Sequence, residues 1–231
     1  MDSILQQFEI DSTDEDLDLI TFNDTQVACQ KDMSCTVPYE KDYWHRYVDY
    51  RGTEMSKAIN DARINLIKRY CKPQAKILDI GIGSGEFIEN AKLNSFITHG
   101  YDVNNVAKEW LQIRNIWYNI EEESVKDDYD AITMWDVMEH MKKPSQLLSK
   151  IASGTLVFIS IPCFENFHTN GRLLKGVKES KHYRPNEHYY YFSRRSLCEF
   201  MKLCGFENLE INQKEIEAGR VDIYSFAFKK I

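Results

Sequence analysis

The chain has 231 residues, 43% apolar and 13% aromatic, enough to bury a sizeable core in one large domain or one domain with appendages. No apolar run approaches membrane-spanning length, and Met1-Asp2-Ser3, followed by acids, lacks the basic and apolar regions of a signal peptide. The net charge of −7 disfavours broad electrostatic binding to nucleic acid, though not recognition of one strand end by a local patch.

Residues 1–52 read as an N-terminal extension. Asp11, Asp14, Glu15, Asp16 and Asp18 form an acidic run expected to stay solvated. Residues 19–22 and 26–28 form a candidate hairpin around Asn23-Asp24. Residues 38–51 mix aromatics with charge. Here Tyr43, Trp44, Tyr47 and Tyr50 read either as a lid over a substrate or as packing of this segment on a sheet. Residues 53–70 predict a helix with Met55, Ile59, Ala62, Leu66 and Ile67 along one face, and Pro73 ends it. The six cysteines (Cys29, Cys35, Cys71, Cys163, Cys198, Cys204) include no C-x-x-C pair, and Cys29 and Cys35 are too loosely spaced for a zinc knuckle. They read as free thiols in a reducing, cytoplasmic setting.

Residues 76–86 carry the most information. Ile77, Leu78 and Ile80 predict a short buried parallel strand that runs straight into Gly81, Gly83 and Gly85. The residues from Glu86 onward predict a helix with its amides facing the turn. A dinucleotide site would want a third glycine where Glu86 stands, and a carboxylate is a poor neighbour for pyrophosphate. Asp79, just before the turn, better suits a cationic or amine-bearing ligand. Residues 97–101 predict a second strand ending at Asp102, where an α/β nucleoside site places the carboxylate for two ribose hydroxyls. Asp102 reads equally as a cap for a helix over 104–114. A short third strand over 116–118 ends at Asn119, which reads as a contact to an adenine edge or as a turn former. Residues 130–135 and 155–161 predict the fourth and fifth strands. Trp135 reads as cofactor contact or core.

After the fourth strand, Asp136, Glu139 and His140 at i, i+3 and i+4 would share one face of a helical turn. A long connection over 162–192 ends in Glu187-His188-Tyr189-Tyr190-Tyr191-Phe192. A serine-capped helix over 193–203 and a hairpin of 206–213 with 221–229 complete the pattern.

The acidic residue followed by G-x-G-x-G over 76–86 resembles the S-adenosylmethionine loop of class I methyltransferases. The motifs Asp136-x-x-Glu139-His140 and Glu187-His188-aromatic-Phe-Ser resemble the ubiquinone-pathway branch of O-methyltransferases. That resemblance runs from about Lys76 to Gly205. It implies a seven-stranded α/β sheet, six strands parallel and one antiparallel, with helices on both faces. The methyltransferase domain would span 53–231 with a cap at about 162–192. It also implies S-adenosylmethionine held by Asp79, Gly81, Gly83, Gly85, Asp102, Asn119 and Trp135.

In some relatives the carboxylates and histidines after the fourth strand hold a divalent metal. Carried over, Asp136, Glu139, His140 and His188 would bind magnesium, manganese or zinc, although relatives often have Glu where this chain has the shorter Asp136. Without a metal, His140 or His188 is the general-base candidate. The expected acceptor is a hydroxyl of a small molecule or sugar-like group. The alternatives are methylation of a nucleic-acid ribose or base, and a cofactor-binding regulatory protein without catalysis. Cys163 as a base-attacking nucleophile is the weakest reading, because its loop matches the ordinary O-methyltransferase loop.

Overall fold

The computed structural model describes residues 1–14, 19–22, 27–34, 41–121, 129–164, 168–169, 172–173 and 180–231. In chain order the strands are β1 (Ile10–Asp14), β2 (Leu19–Phe22), β3 (Ala28–Gln30), β4 (Lys76–Ile80), β5 (Ile97–Tyr101), β6 (Ala131–Trp135), β7 (Leu156–Pro162), β8 (His168–Thr169), β9 (Arg172–Leu173), β10 (Tyr190–Tyr191), β11 (Phe206–Asn212) and β12 (Ile223–Lys230). The helices are α1 (Lys41–Val48), α2 (Glu54–Lys68), α3 (Glu86–Leu93), α4 (Asn105–Ile113), α5 (Pro144–Leu148), α6 (Arg194–Leu203) and α7 (Lys214–Glu217). No helix among the described residues is long and apolar enough to cross a membrane.

The central sheet has the order β11-β12-β7-β6-β4-β5. β4, β5, β6 and β7 pair in parallel, while β12 runs antiparallel to both β7 and β11. The expected third strand contributes only a bridge: Gly100 N–H donates to Ile116 O and Tyr118 N–H to Gly100 O, at 2.9 and 3.0 Å. The chain then turns away, so the described sheet has six strands and not seven.

Side chains alternate across this sheet as the strand period demands. Leu78, Ile132, Val157, Ile159 and Phe228 face one core with Phe200 of α6. Ile77, Ala131, Trp135 and Phe158 face the other, with Ile64 and Ile67 of α2.

The N-terminal segment is packed into the first of these cores through Leu5, Ile20, Val27 and Cys29. It also forms a second sheet, β1-β2-β3-β10, in which β3 pairs antiparallel with Tyr190 and Tyr191. The 19–22 strand of the expected hairpin is present, its partner is displaced to Ala28–Gln30, and the connecting residues 23–26 lie outside those described. Part of the acidic run, through Asp14, lies in strand β1. Cys35 and residues 165–167, 170–171 and 174–179 of the cap also lie outside the described residues.

Candidate functional site

Thr53 caps α2, its hydroxyl accepting from Ser56 N–H at 3.1 Å. This helix lies beside the carboxyl ends of β4, β5 and β6, where open α/β sheets bind ligands. A cavity of about 1150 Å³ opens there, walled by Asp79, Gly81, Gly83, Asp102, Trp135 and Asp136 among others. Of the expected cofactor residues, Gly85 and Asn119 lie outside this wall.

The glycine turn is required by what surrounds it. Gly81 has φ +75°, and a Cβ there would stand 2.4 Å from Val137 Cγ2. Gly85 has φ +76°, caps α3, and would bring a Cβ to 2.7 Å from the Trp110 ring. Gly85 therefore serves the packing of α4 against the turn.

Asp79 and Thr133 are paired residues of adjacent parallel strands, and Thr133 Oγ1 donates to Asp79 Oδ1 at 2.6 Å. Burial pushes the Asp79 carboxyl up to about 8, against the opposing pull of Thr133 and Arg63. Asp102 accepts from Asn104 N–H at 2.8 Å. Burial raises it to about 6, while backbone amides of Asn104, Gly83 and Ile82 work to lower it. Asp102 thus fastens the glycine turn to β5 while still facing the cavity. Asn119 accepts from Glu121 N–H at 3.2 Å in a local turn, and its neighbours Ile120 and Glu121 form the cavity wall instead. Trp135 packs edge-on against Phe87 with the Arg63 guanidinium 4.7 Å above its ring. Its buried indole N–H has no partner among the described residues.

Asp136, a metal ligand by the resemblance, has one carboxylate oxygen in an ion-pair set, while its buried Oδ1 has no partner among the described residues. It sits at φ +57°. Its Oδ2 accepts from Arg220 at 2.8 Å and from Arg63 at 3.4 Å. Burial opposes its ionisation, but the two guanidinia hold the carboxyl below its ordinary value. Both arginines also bind the fully buried Glu215: Arg63 through two contacts at 2.8 and 3.1 Å, Arg220 at 2.6 Å. This charge-balanced quartet was missed by sequence reasoning. Asn60 and Arg63, polar residues three apart on the inward side of α2, were the available signal.

Glu139, His140 and His188 come together, and Asp136 is not one of the group. One ligand atom from each of the three lies within 4.8 Å of the others. The imidazoles are 4.6 Å apart, edge to face. His140 Nδ1 is 2.9 Å from Glu187 O, which orients the ring and leaves Nε2 for other work. Of the three, only His140 borders the cavity; Glu139 and His188 are buried behind it. Burial lowers both imidazoles, that of His188 to about 3, and pushes Glu139 well above the carboxylate range with help from Asp136. Glu139 Oε2 and His188 Nδ1 are buried without partners among the described residues. Orphaned carboxylate and imidazole atoms at this spacing fit a small divalent cation, which would offset both desolvation penalties.

The aromatic segment is split between packing and the cavity wall. Trp44 packs with Ile82, Ile88 and Leu111. Tyr47 and Tyr50 are about half exposed and border the cavity, whereas the side chain of Tyr43 lies outside the described ones. Glu86 fastens this segment to α3, accepting from Gly52 N–H at 3.0 Å and from the Ser56 hydroxyl. Cys163 is buried, its Sγ 3.8 Å from Ile161 O, and is not part of the cavity wall.

A family model described as a methyltransferase domain matches residues 47–211. No curated protein matches the sequence. Among solved structures, the Burkholderia thailandensis 1,6-didemethyltoxoflavin-N1-methyltransferase, with its substrate and S-adenosylhomocysteine bound, superposes with a TM-score of 0.59 at 14% identity, covering 90% of this chain and 97% of that one. The Synechocystis magnesium protoporphyrin IX methyltransferase with S-adenosylhomocysteine gives 0.57 at 14%, covering 82% and 94%. A putative Haloferax volcanii methyltransferase in complex with the activator Trm112 gives 0.59 at 12%, covering 81% and 97%. The glycine turn, the strand order and the family match agree, and the chain belongs to the methyltransferase-domain family, with the S-adenosylmethionine-binding Rossmann-like fold.

Proposed function

We propose that this protein transfers the methyl group of S-adenosylmethionine to a hydroxyl of a small-molecule or sugar-like acceptor. The observation that carries the reading is His140, which borders the cavity, is held by Glu187 O, and is kept neutral by burial. A neutral imidazole at the cavity wall can take the proton that an attacking hydroxyl must lose. The sulfonium is already a good leaving group, so the remaining task is to align the acceptor and exclude water. Asp79, Gly81, Gly83 and Asp102 would hold the cofactor, with Trp135 beside it and Gly85 shaping the turn. Asn119 would act only through the turn it closes.

His188, further from the cavity, would act with Glu139 as support for His140 or as a metal ligand. A magnesium, manganese or zinc ion at Glu139, His140 and His188 would lower the pKa of an acceptor hydroxyl. Asp136 would serve as an ionic anchor rather than a ligand. The resemblance to the ubiquinone-pathway branch supports the oxygen acceptor. Five buried or half-buried free thiols suit a reducing, cytoplasmic setting.

The test is calorimetric titration of S-adenosylhomocysteine, with NAD for comparison, followed by a screen of hydroxyl-bearing acceptors with labelled S-adenosylmethionine. Binding of the former alone and labelled ether product are expected. Tight cofactor binding without transfer to any acceptor, with or without metal, would instead favour the regulatory reading. Transfer to nucleic acid that weakens steeply with salt would favour the nucleic-acid one.

A further inference from the structure

We propose that Asp2 is a positioning residue for the candidate acceptor side of the site, clamping together the two chain segments that carry His140 and His188. The inference rests on the reading of those histidines given above. The family match begins at residue 47, so it does not account for this N-terminal contribution.

Asp2 has no exposed surface. Its carboxylate bridges two backbones: Oδ2 accepts from Ser145 N–H at 2.7 Å and Oδ1 from Ile4 N–H at 3.0 Å. Its own N–H donates to the Tyr190 hydroxyl at 3.0 Å, and that hydroxyl donates to Lys142 O at 2.9 Å. Lys142 is two residues beyond His140, and Tyr190 is two beyond His188. The segments also meet directly, Tyr189 N–H donating to Glu139 O at 2.8 Å. Gln30 adds a second N-terminal hold, its N–H donating to Tyr189 O and its side-chain amide to the Tyr191 hydroxyl, both at 2.9 Å.

A two-residue strand such as β10 has little stability of its own. The turn carrying His140 is a single 3-10 turn, and α5 has five residues. Elements this short keep a fixed geometry only when something outside them supplies it. Asp2 touches α5 through its carboxylate and β10 through its backbone N–H, and the hydrogen bonds of a buried carboxylate to backbone amides are among the stronger neutral-donor contacts. The physical consequence is that the Glu139, His140 and His188 spacing depends on residue 2, far from it in sequence.

The test compares the full-length wild type with Asp2→Ala, Asp2→Asn and Tyr190→Phe. The readouts are backbone hydrogen exchange, imidazole 1H–15N correlation spectra and S-adenosylhomocysteine calorimetry. Asp2→Ala and Tyr190→Phe are expected to speed exchange in residues 137–146 and 187–192 by about tenfold or more and to shift both imidazole spectra. Asp2→Asn, which keeps one acceptor oxygen, should restore part of the effect. Exchange in β4 and the glycine turn, and cofactor affinity, should stay within about threefold of wild type. Uniform acceleration across the central sheet would mean a purely global role and overturn the proposal, as would unchanged exchange and spectra in both variants. If Asp2→Ala fails to fold, Asp2→Asn decides the matter, with Tyr190→Phe reporting separately on the hydroxyl that links residue 2 to Lys142. No acceptor is needed, so failure here is separable from failure of the histidine reading, which shows only in methyl transfer.

Discussion

Asp136 Oδ2 lies 2.8 Å from an Arg220 guanidinium nitrogen across 84 residues of chain. Arg220 in turn shares the buried Glu215 with Arg63. Removing one member of such a set leaves charge without a partner in a place water reaches poorly. Glu215→Gln should destabilise the fold by about 3 kcal/mol. Asp136→Asn, at a partly exposed carboxylate, should cost roughly half as much after discounting for solvent screening. Denaturant midpoints of the two variants check the order. Equal, negligible shifts would mean the quartet adds nothing net.

Asp102 offers its carboxylate to the cavity while accepting backbone amides. Asp102→Ala is expected to weaken S-adenosylhomocysteine by about tenfold or more through loss of charged hydrogen bonds. Calorimetry reads this directly, and unchanged affinity would remove Asp102 from the role.

Asp79 gives the pH dependence. Its folded value of about 8 exceeds the unfolded value near 3.8, so its contribution to stability is fully present below about 3.8 and is lost as pH rises towards 8. A cationic sulfonium and ammonium group beside it would restore ionisation. Binding of S-adenosylmethionine should therefore release protons, and its affinity should rise between about pH 6 and pH 8. Calorimetry in buffers of different ionisation enthalpy measures the release. Asp79→Asn should abolish it and raise the melting temperature of the free protein by at least about 3 °C at pH 7 to 8. Proton uptake on binding would contradict this placement of Asp79.

Glu139, His140 and His188 predict a single divalent site. Titration with manganese or zinc alone should show one equivalent bound, and His140→Ala should weaken it by more than about a hundredfold, beyond the loss of an outer partner. Asp136→Asn should change it far less. A large loss in that variant would return Asp136 to the ligand set.

How much of this was legible depends on the range of the forces involved. The strand, turn and helix over residues 76–93 could be read because a β-branched run, three glycines and an amphipathic segment act within a few residues of one another. Of the four residues the resemblance groups, Glu139, His140 and His188 lie close together in the structure. The resemblance could not show that Asp136 would turn to Arg63 and Arg220, because ion pairs are chosen by which charges the packed sheet brings into contact. Residues 116–118 form one bridge, and such an apolar triplet looks the same in sequence whether it forms a full ladder or a single bridge.

By itself, the sequence determined the alternation of buried strands, the glycine turn and the acids before and after it, all consequences of local stereochemistry and of side-chain period. Only the tertiary structure decided that Trp44 packs with Ile82, Ile88 and Leu111 while Tyr47 borders the cavity. It also decided that Asn119 closes a turn beside the cavity and that residue 2 reaches Tyr190. The reach of residue 2 and the surroundings of Trp44 depend on packing between segments distant in the chain, which the assembled core fixes and no local pattern reveals.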